Sequence, residues 1–396
     1  MSADIRSMVI GVIGAGAMGS GIAQVAATAG HHVVLGDVSP EALERARASM
    51  GKALDREVEK GRLDRPTSVG ILSRIQCVSD LVDGYDAFRE CSLIIEAVAE
   101  VLPVKQSLFE QMEHVVGVEC ILATNTSSLS IGAIGGGLRH PERAIGIHFF
   151  NPATVMPLVE IVPALVTAAH VTTNVRALVD GWGKTTVVAS DTPGFIVNRI
   201  ARPFYSESLR QLEEGIAGIA TIDWAMREIG GFRMGPFELM DFIGNDVNYA
   251  VTKSVYEGFF HDPRYRPALA QRALVEAGLF GRKSGRGYYD YRDGAARPEP
   301  SRDETLGRAI VDRTLAMLVN AAVDAEYMRV ASPADIETAM TKGVNYPKGL
   351  LAWGDEIGPG AILDRLGALH AEYGEERYRA SPLLRKRVKE GRGLLT

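Results

Sequence analysis

Residues 9–37 read VIGVIGAGAMGSGIAQVAATAGHHVVLGD. The apolar run 8–13 leads into Gly14, Gly16 and Gly19, a GxGxxG string, and a helical stretch over 18–29 follows that Gly30 closes. In this order each glycine has a physical reason. The first permits a tight turn, the second lets backbone approach a pyrophosphate, and the third lets the helix pack closely, while the helix N-terminus supplies N–H donors and positive dipole. A second β-branched run, 32–37, ends in Asp37, 18 positions after Gly19. A carboxylate there meets adenosine ribose hydroxyls and repels a 2'-phosphate. The stretch predicts a βαβ unit binding NAD in preference to NADP through Gly14, Gly16, Ala17, Met18, Gly19 and Asp37. A glycine turn with an incidental aspartate is the plainer alternative, and the strand–turn–helix–strand context weighs against it.

Working outward, short β-branched runs alternate with helical stretches, as a parallel sheet with crossover helices requires. Strands are expected at 9–13, 32–37, 93–98, 121–124, 145–149, 158–162 and 186–189. From Thr192 the pattern is helical almost throughout, with Phe195, Ile196, Ile200, Phe204, Leu209 and Leu212 at helical spacing and Gly215 as a stop.

That helical half repeats itself at an offset of 114: Ile196, Val197 and Arg199 recur as Ile310, Val311 and Arg313. Ile222, Ala225, Met226, Gly235, Asp241, Ile243 and Gly244 recur as Ile336, Ala339, Met340, Gly349, Asp355, Ile357 and Gly358. Arg264, Tyr265 and Arg266 return one residue out of step as Arg377, Tyr378 and Arg379. The expected fold is therefore α/β: a Rossmann-type parallel sheet domain over 1–190, then two tandem all-helical modules over 191–295 and 303–396, joined by a Gly- and Pro-rich linker. The second copy has Asp312 where the first has Asn198, and the chain reaches Thr396 before any expected counterpart of 284–291. It reads as scaffold or interface, not a second active site.

The composition narrows the partners. Of 396 residues, 46% are apolar and 23% charged, and the net charge is -6 without long runs of either sign. A small-molecule ligand is expected, with no nucleic acid and no membrane. The cysteines, Cys77, Cys91 and Cys120, lie far apart and form neither CxxC nor a metal-ligand spacing. No metal is expected, and a reducing, cytoplasmic setting fits. The first apolar run passes straight into glycines without a signal-peptide pattern, and no stretch reaches about 18 uninterrupted apolar residues.

Polar residues stand at the ends of the later strands, where an open parallel sheet places its ligands. Singly they have ordinary explanations: His148 a core histidine, Glu160 an edge-strand charge, Ser127 and Ser128 helix caps, Asn198 a surface position. Together with the glycine loop, the ordered segments IIEAVAE (94–100) with Lys105, NTSSL (125–129), HFFNP (148–152), LVEIV (158–162), DTPGFIVNR (191–199), GPFELMD (235–241) and GRKSGRGYYDY (281–291) resemble the 3-hydroxyacyl-CoA dehydrogenase family over almost the first 290 residues. The doubled module is similar to that of bacterial hydroxybutyryl-CoA and hydroxyadipyl-CoA dehydrogenases.

The resemblance implies NAD-dependent oxidation of a (3S)-3-hydroxyacyl-CoA. It makes His148 the general base and Glu160 its carboxylate partner, and it sets Ser127 and Asn198 at the reacting oxygen, in contact with substrate. Glu100, Lys105, Asn151 and Lys283 go near the dinucleotide, and Lys60 near a CoA phosphate. It further implies that the second helical module packs on the first as an internal pseudo-dimer. The chemistry agrees: hydride leaves a carbinol carbon only if its hydroxyl proton leaves too, which calls for a neutral imidazole held by a carboxylate. A gulonate-like sugar-acid dehydrogenase of the same fold and a non-catalytic NAD-binding module are the competing readings. The LVEIV and DTPGFIVNR segments and the duplication weigh against the first, and the intact His148, Glu160 and Asn198 against the second.

Overall fold

In the computed structural model, which describes residues 8–79 and 85–395, the run VIGVI forms β1 (Val9–Ile13), buried along four of its five residues. The chain divides into two compact units, Met1–Thr192 and Pro193–Thr396.

The first unit continues with α1 (Ala17–Thr28), β2 (His32–Gly36), α2 (Pro40–Glu59), α3 (Arg65–Ser73), β3 (Ile75–Val78), β4 (Cys91–Glu96), α4 (Leu102–Val115), β5 (Ile121–Thr124), α5 (Ile131–Gly135), β6 (Ala144–Phe149), β7 (Leu158–Pro163), α6 (Ala169–Gly181) and β8 (Thr185–Val188). The strands form one sheet in the order β3-β2-β1-β4-β5-β6-β7-β8. Its neighbours run parallel except β6 and β7, which are antiparallel. Helices cover both faces. Ile22 and Ala26 of α1, Leu43 and Met50 of α2 and Val175 of α6 fill one side, and Leu108, Phe109 and Met112 of α4 with Ile134 of α5 fill the other. Strands covered on both faces read as continuous apolar runs. β3 was not among the expected strands: it has four residues and only one is fully buried, so the hydrophobic signal is weak at this sheet edge.

The second unit holds α7 (Val197–Ile200), α8 (Arg202–Glu213), α9 (Ile219–Trp224), α10 (Pro236–Ile243), α11 (Asn245–Gly258) and α12 (Leu269–Glu276), then α13 (Glu304–Tyr327), α14 (Pro333–Gly343), α15 (Leu350–Ile357), α16 (Pro359–Tyr373) and α17 (Pro382–Glu390). The unbroken α13 corresponds to the pair α7 and α8. Pro203 has no N–H to return to the preceding turn, so the first copy breaks just ahead of it, while Met317 at the same place lets α13 run through.

The repeat reaches the level of single hydrogen bonds. Asp223 accepts from Phe237 N and Glu238 N (2.9 and 3.0 Å) at the start of α10, and Glu337 accepts from Leu351 N and Ala352 N (2.8 and 3.1 Å) at the start of α15. Asp241 accepts from Tyr288 N and Tyr289 N, and its repeat Asp355 accepts from Leu394 N and Leu395 N. This corrects one expectation. A partial counterpart of the first copy's tail is present, with Gly391, Arg392, Gly393, Leu394 and Leu395 standing for Gly285, Arg286, Gly287, Tyr288 and Tyr289. Its offset is 106 instead of 114, and leucines replace the tyrosines, which hides it.

The copies interlock within this unit. Arg199 and Arg264 of the first grip Asp324 of the second (3.2 and 2.7 Å). Reciprocally Arg313, the repeat of Arg199, and Arg377, the repeat of Arg264, grip Glu207, with Arg313 Nε at 3.0 Å. All six of these side chains except Arg264 are nearly or fully buried.

Candidate active site

The glycine loop ends β1 beside β4, where the sheet's strand order reverses direction, the place where open α/β sheets bind ligands. Gly14 has φ +105°, and a Cβ there would lie 2.5 Å from the Ala97 carbonyl oxygen. A Cβ on Gly19 would lie 1.8 Å from Gly14 O, so α1 sits on the loop only because that side chain is absent. Gly16 is the opposite case: no atom lies within 4 Å of its missing Cβ. That open cradle, at an α1 N-terminus begun by Ala17 and Met18 with no side-chain cap, fits a dinucleotide pyrophosphate. A cavity of about 750 Å3 runs from it past Asp37, Val38 and Tyr85. Asp37 is fixed by Ala15 N (2.7 Å to Oδ2) and Ser39 N (2.9 Å to Oδ1) at the end of β2. Each of its oxygens keeps an acceptor site for a ribose hydroxyl.

A second cluster lies past β4 and β5. Lys105 is fully buried, its ammonium held by Glu96 Oε1 (2.6 Å) and Glu100 Oε2 (3.2 Å). Glu96 also accepts from Val98 N and Thr124 Oγ1. Glu100 accepts from Ser127 N (3.1 Å), Ser128 Oγ (2.9 Å) and Thr126 Oγ1. Burial alone would raise the Glu100 carboxyl, but the Lys105 charge and the hydroxyls of Thr126 and Ser128 outweigh it and hold it below the ordinary glutamate value. Lys105 thus pairs with Glu100, which in turn holds the 126–128 loop. Glu96 was missed in the sequence, although a charge inside the apolar run IIEAV is itself a signal for a buried partner.

His148 and Glu160 face each other in register across β6 and β7, and His148 Nδ1 lies 2.7 Å from Glu160 Oε2, with Glu160 fully buried. The antiparallel return of β7 makes this pairing possible over twelve residues. An ionised Glu160 accepts from Nδ1–H, which puts the imidazole lone pair on Nε2. Asn125 Oδ1 accepts from Phe149 N (2.8 Å), tying the loop that carries the half-buried Ser127 to the strand of His148. Asn125 is a second positioning residue the sequence reading passed over. Asn151 is exposed just beyond β6.

Lys60 ends α2, exposed and 3.4 Å from Glu57. With Arg56, Arg62 and Lys184 it borders a cavity of about 720 Å3. Asn198 and Lys283 belong to the second unit. Asn198 is half-buried in α7 and its carbonyl accepts from Arg202 Nε (2.8 Å), and Lys283 pairs with Asp246 at 2.6 Å.

Family models described as "3-hydroxyacyl-CoA dehydrogenase, NAD binding domain" and "3-hydroxyacyl-CoA dehydrogenase, C-terminal domain" match residues 9–192 and, twice over, residues 194–291 and 310–393. The chain is 40% identical to the 3-hydroxyadipyl-CoA dehydrogenase of Escherichia coli K12 over 97% of its own length and 98% of the relative's. It is 41% identical to the 3-hydroxybutyryl-CoA dehydrogenase of Bradyrhizobium diazoefficiens, over 76% of this chain and all of that one. The crystal structure of a 3-hydroxybutyryl-CoA dehydrogenase from Escherichia coli K12 superposes with a TM-score of 0.91 at 38% identity, covering 97% of this chain and 99% of that one.

Proposed function

The chain belongs to the 3-hydroxyacyl-CoA dehydrogenase family, and from that membership we propose how its residues carry out the NAD-dependent oxidation of a (3S)-3-hydroxyacyl-CoA to the 3-oxo thioester. The pairing of His148 with Glu160 carries the reading. Bound NAD supplies the hydride acceptor. Neutral His148 takes the hydroxyl proton at Nε2, while Glu160 holds the proton on Nδ1 and stabilises the imidazolium that results. Ser127 and Asn198 donate to the substrate oxygen, which gains negative charge in the reverse direction. Asp37 accepts from the adenosine ribose, and Glu100 with Lys105 behind it, Asn151 and Lys283 serve the rest of the dinucleotide. Lys60, beside Arg56 and Arg62, meets a phosphate of CoA.

The acyl chain is of the hydroxybutyryl or hydroxyadipyl type, as the names of two bacterial relatives have it. The three-part organisation read from the sequence stands as part of this proposal: a dinucleotide domain, a helical module bearing Asn198, and a second copy that takes the place of a partner's module. The setting is cytoplasmic. Among the described residues no helix is long and apolar enough to cross a membrane, and all three cysteines are free thiols. The test is loss of NADH absorbance on adding acetoacetyl-CoA. Turnover with a sugar acid and none with the thioester would overturn the assignment.

A further inference from the structure

Six arginines are buried among the described residues, and five of them pair with a carboxylate: Arg143 with Glu113, Arg199 with Asp324, Arg313 and Arg377 with Glu207, and Arg387 with Glu326. Arg202, 5% exposed, is the sixth. Its Nε donates to the Asn198 carbonyl (2.8 Å) and its Nη1 to Thr252 Oγ1 (3.1 Å), and among the described residues no carboxylate pairs with it. These two bonds use two of five guanidinium N–H groups. Its guanidinium lies 4.9 Å from the centre of the Tyr205 ring, and burial pulls it below the ordinary arginine value, opposed only by Tyr205 and Tyr346 and by no carboxylate. Tyr346 comes from the second copy of the module, and its hydroxyl is buried without a hydrogen-bond partner. A buried cation is costly to leave uncompensated, as is a buried hydroxyl. The helical unit holds both, and among the described residues no carboxylate pairs with the cation.

We propose that Arg202, with Tyr205 and Tyr346, selects an acyl chain that ends in a second carboxylate. The inference rests on the 3-hydroxyacyl-CoA reading and on Asn198 standing at the substrate oxygen. The guanidinium bonds the peptide of Asn198 itself, so its charge lies within roughly 5–8 Å of that side chain. In an extended six-carbon acyl chain a terminal carboxylate lies three bonds beyond C3, about 4–5 Å from the oxygen there. With a hydrogen bond of about 3 Å at each end, a chain of that length spans the separation between Asn198 and the guanidinium. An unneutralised charge at that range, out of water, favours the dicarboxylic chain by about tenfold to a hundredfold. A methyl-ended chain offers the guanidinium no anion. The repeat of Arg202 in the second copy is Ala316, so only the module bearing Asn198 has this cation.

The experiment compares NADH-dependent reduction of 3-oxoadipyl-CoA and 3-oxohexanoyl-CoA, identical but for a carboxylate or methyl at the end. Wild type is expected to favour the former in kcat/KM by tenfold or more. In Arg202→Met both constants fall, because the Asn198 peptide loses a donor, and the readout is the ratio, which drops to within about threefold of unity. Arg202→Lys keeps the charge and much of the ratio. Tyr346→Phe removes only an unpartnered hydroxyl, so it folds even where Arg202→Met does not, and it lowers the ratio severalfold. A wild-type ratio near one, or a ratio unchanged in both Arg202→Met and Tyr346→Phe, overturns the proposal while leaving the family activity in place. Reduction of neither thioester overturns the 3-hydroxyacyl-CoA reading itself.

Discussion

A neutral imidazole can take a proton only if its lone pair is aimed and its cationic form is stabilised, and the 2.7 Å contact of His148 Nδ1 with Glu160 supplies both. His148→Asn keeps a polar side chain but has no comparable base, so turnover should fall by about a hundredfold or more while NADH affinity, measured by fluorescence titration, stays near wild type. Glu160→Gln should lower turnover with little change in cofactor affinity, because an amide cannot stabilise the imidazolium. Wild-type turnover across the pH profile of Glu160→Gln would remove that residue from the mechanism. In the proposed reading Asp37 carries the cofactor preference, so Asp37→Ala loses the ribose acceptor and the charge that repels a 2'-phosphate together. The expected result is weaker NAD binding and a smaller NAD over NADP ratio in kcat/KM. A native preference for NADPH would contradict this reading of β2.

At the scale of elements, burial sets both chemistry and stability. The Cys91 and Cys120 thiols, at the starts of β4 and β5, are pushed up to about 12 by burial, with their neighbouring charges secondary. At pH 8 their thiolate fraction is about one in ten thousand. Iodoacetamide should therefore modify half-buried Cys77 alone in the native protein, as peptide mass spectrometry will report. In the helical unit, Glu207 of α8 is fully buried and bound by Arg313, Arg377 and Tyr378 Oη (3.2 Å). Glu207→Gln leaves buried Arg377 with only Glu375 at 4.0 Å and Arg313 with Glu214 alone, and should cost about 3–5 kcal/mol, read as a lower denaturation midpoint.

These elements also show what the sequence makes legible. Strands covered on both faces, such as β1 and β6, announce themselves as apolar runs, whereas β3 is short and half-covered and does not. The family's ordered motifs, more than residue type, pointed to His148, Glu160 and the glycines, and the structure sets His148 against Glu160 across β6 and β7. Glu96 and Asn125 act by holding neighbours: the charge of Glu96 inside an apolar run signals a buried partner, whereas nothing in the residue type of Asn125 separates its role from ordinary polarity. The repeat was readable wherever its offset held at 114, and was lost at Gly391–Leu395, where a shorter connection changed the spacing.

At the scale of the whole chain, the doubling of the helical module is itself a statement about surfaces. The buried ion pairs between copies are reciprocal: Arg199 and Arg264 reach Asp324 of the second copy, and their repeats Arg313 and Arg377 reach Glu207 of the first. The 3-10 turns Pro263–Tyr265 and Glu376–Tyr378, equivalent in the repeat, also lie against each other. Reciprocal contact between equivalent parts is the mark of an isologous interface, one in which a surface meets its own copy. The face of α8 that α13 covers includes Phe204, Glu207, Ser208 and Gln211, all buried, and Gln211 Nε2 bonds Thr314 Oγ1 at 3.2 Å. Removing the second copy would expose apolar and unpaired polar groups together. A chain ending at Arg292 should therefore pair with another through that face, or aggregate, and light scattering will report a mass of twice the shortened chain or more. A soluble, fully active monomer would show that the second copy does not stand in for a partner.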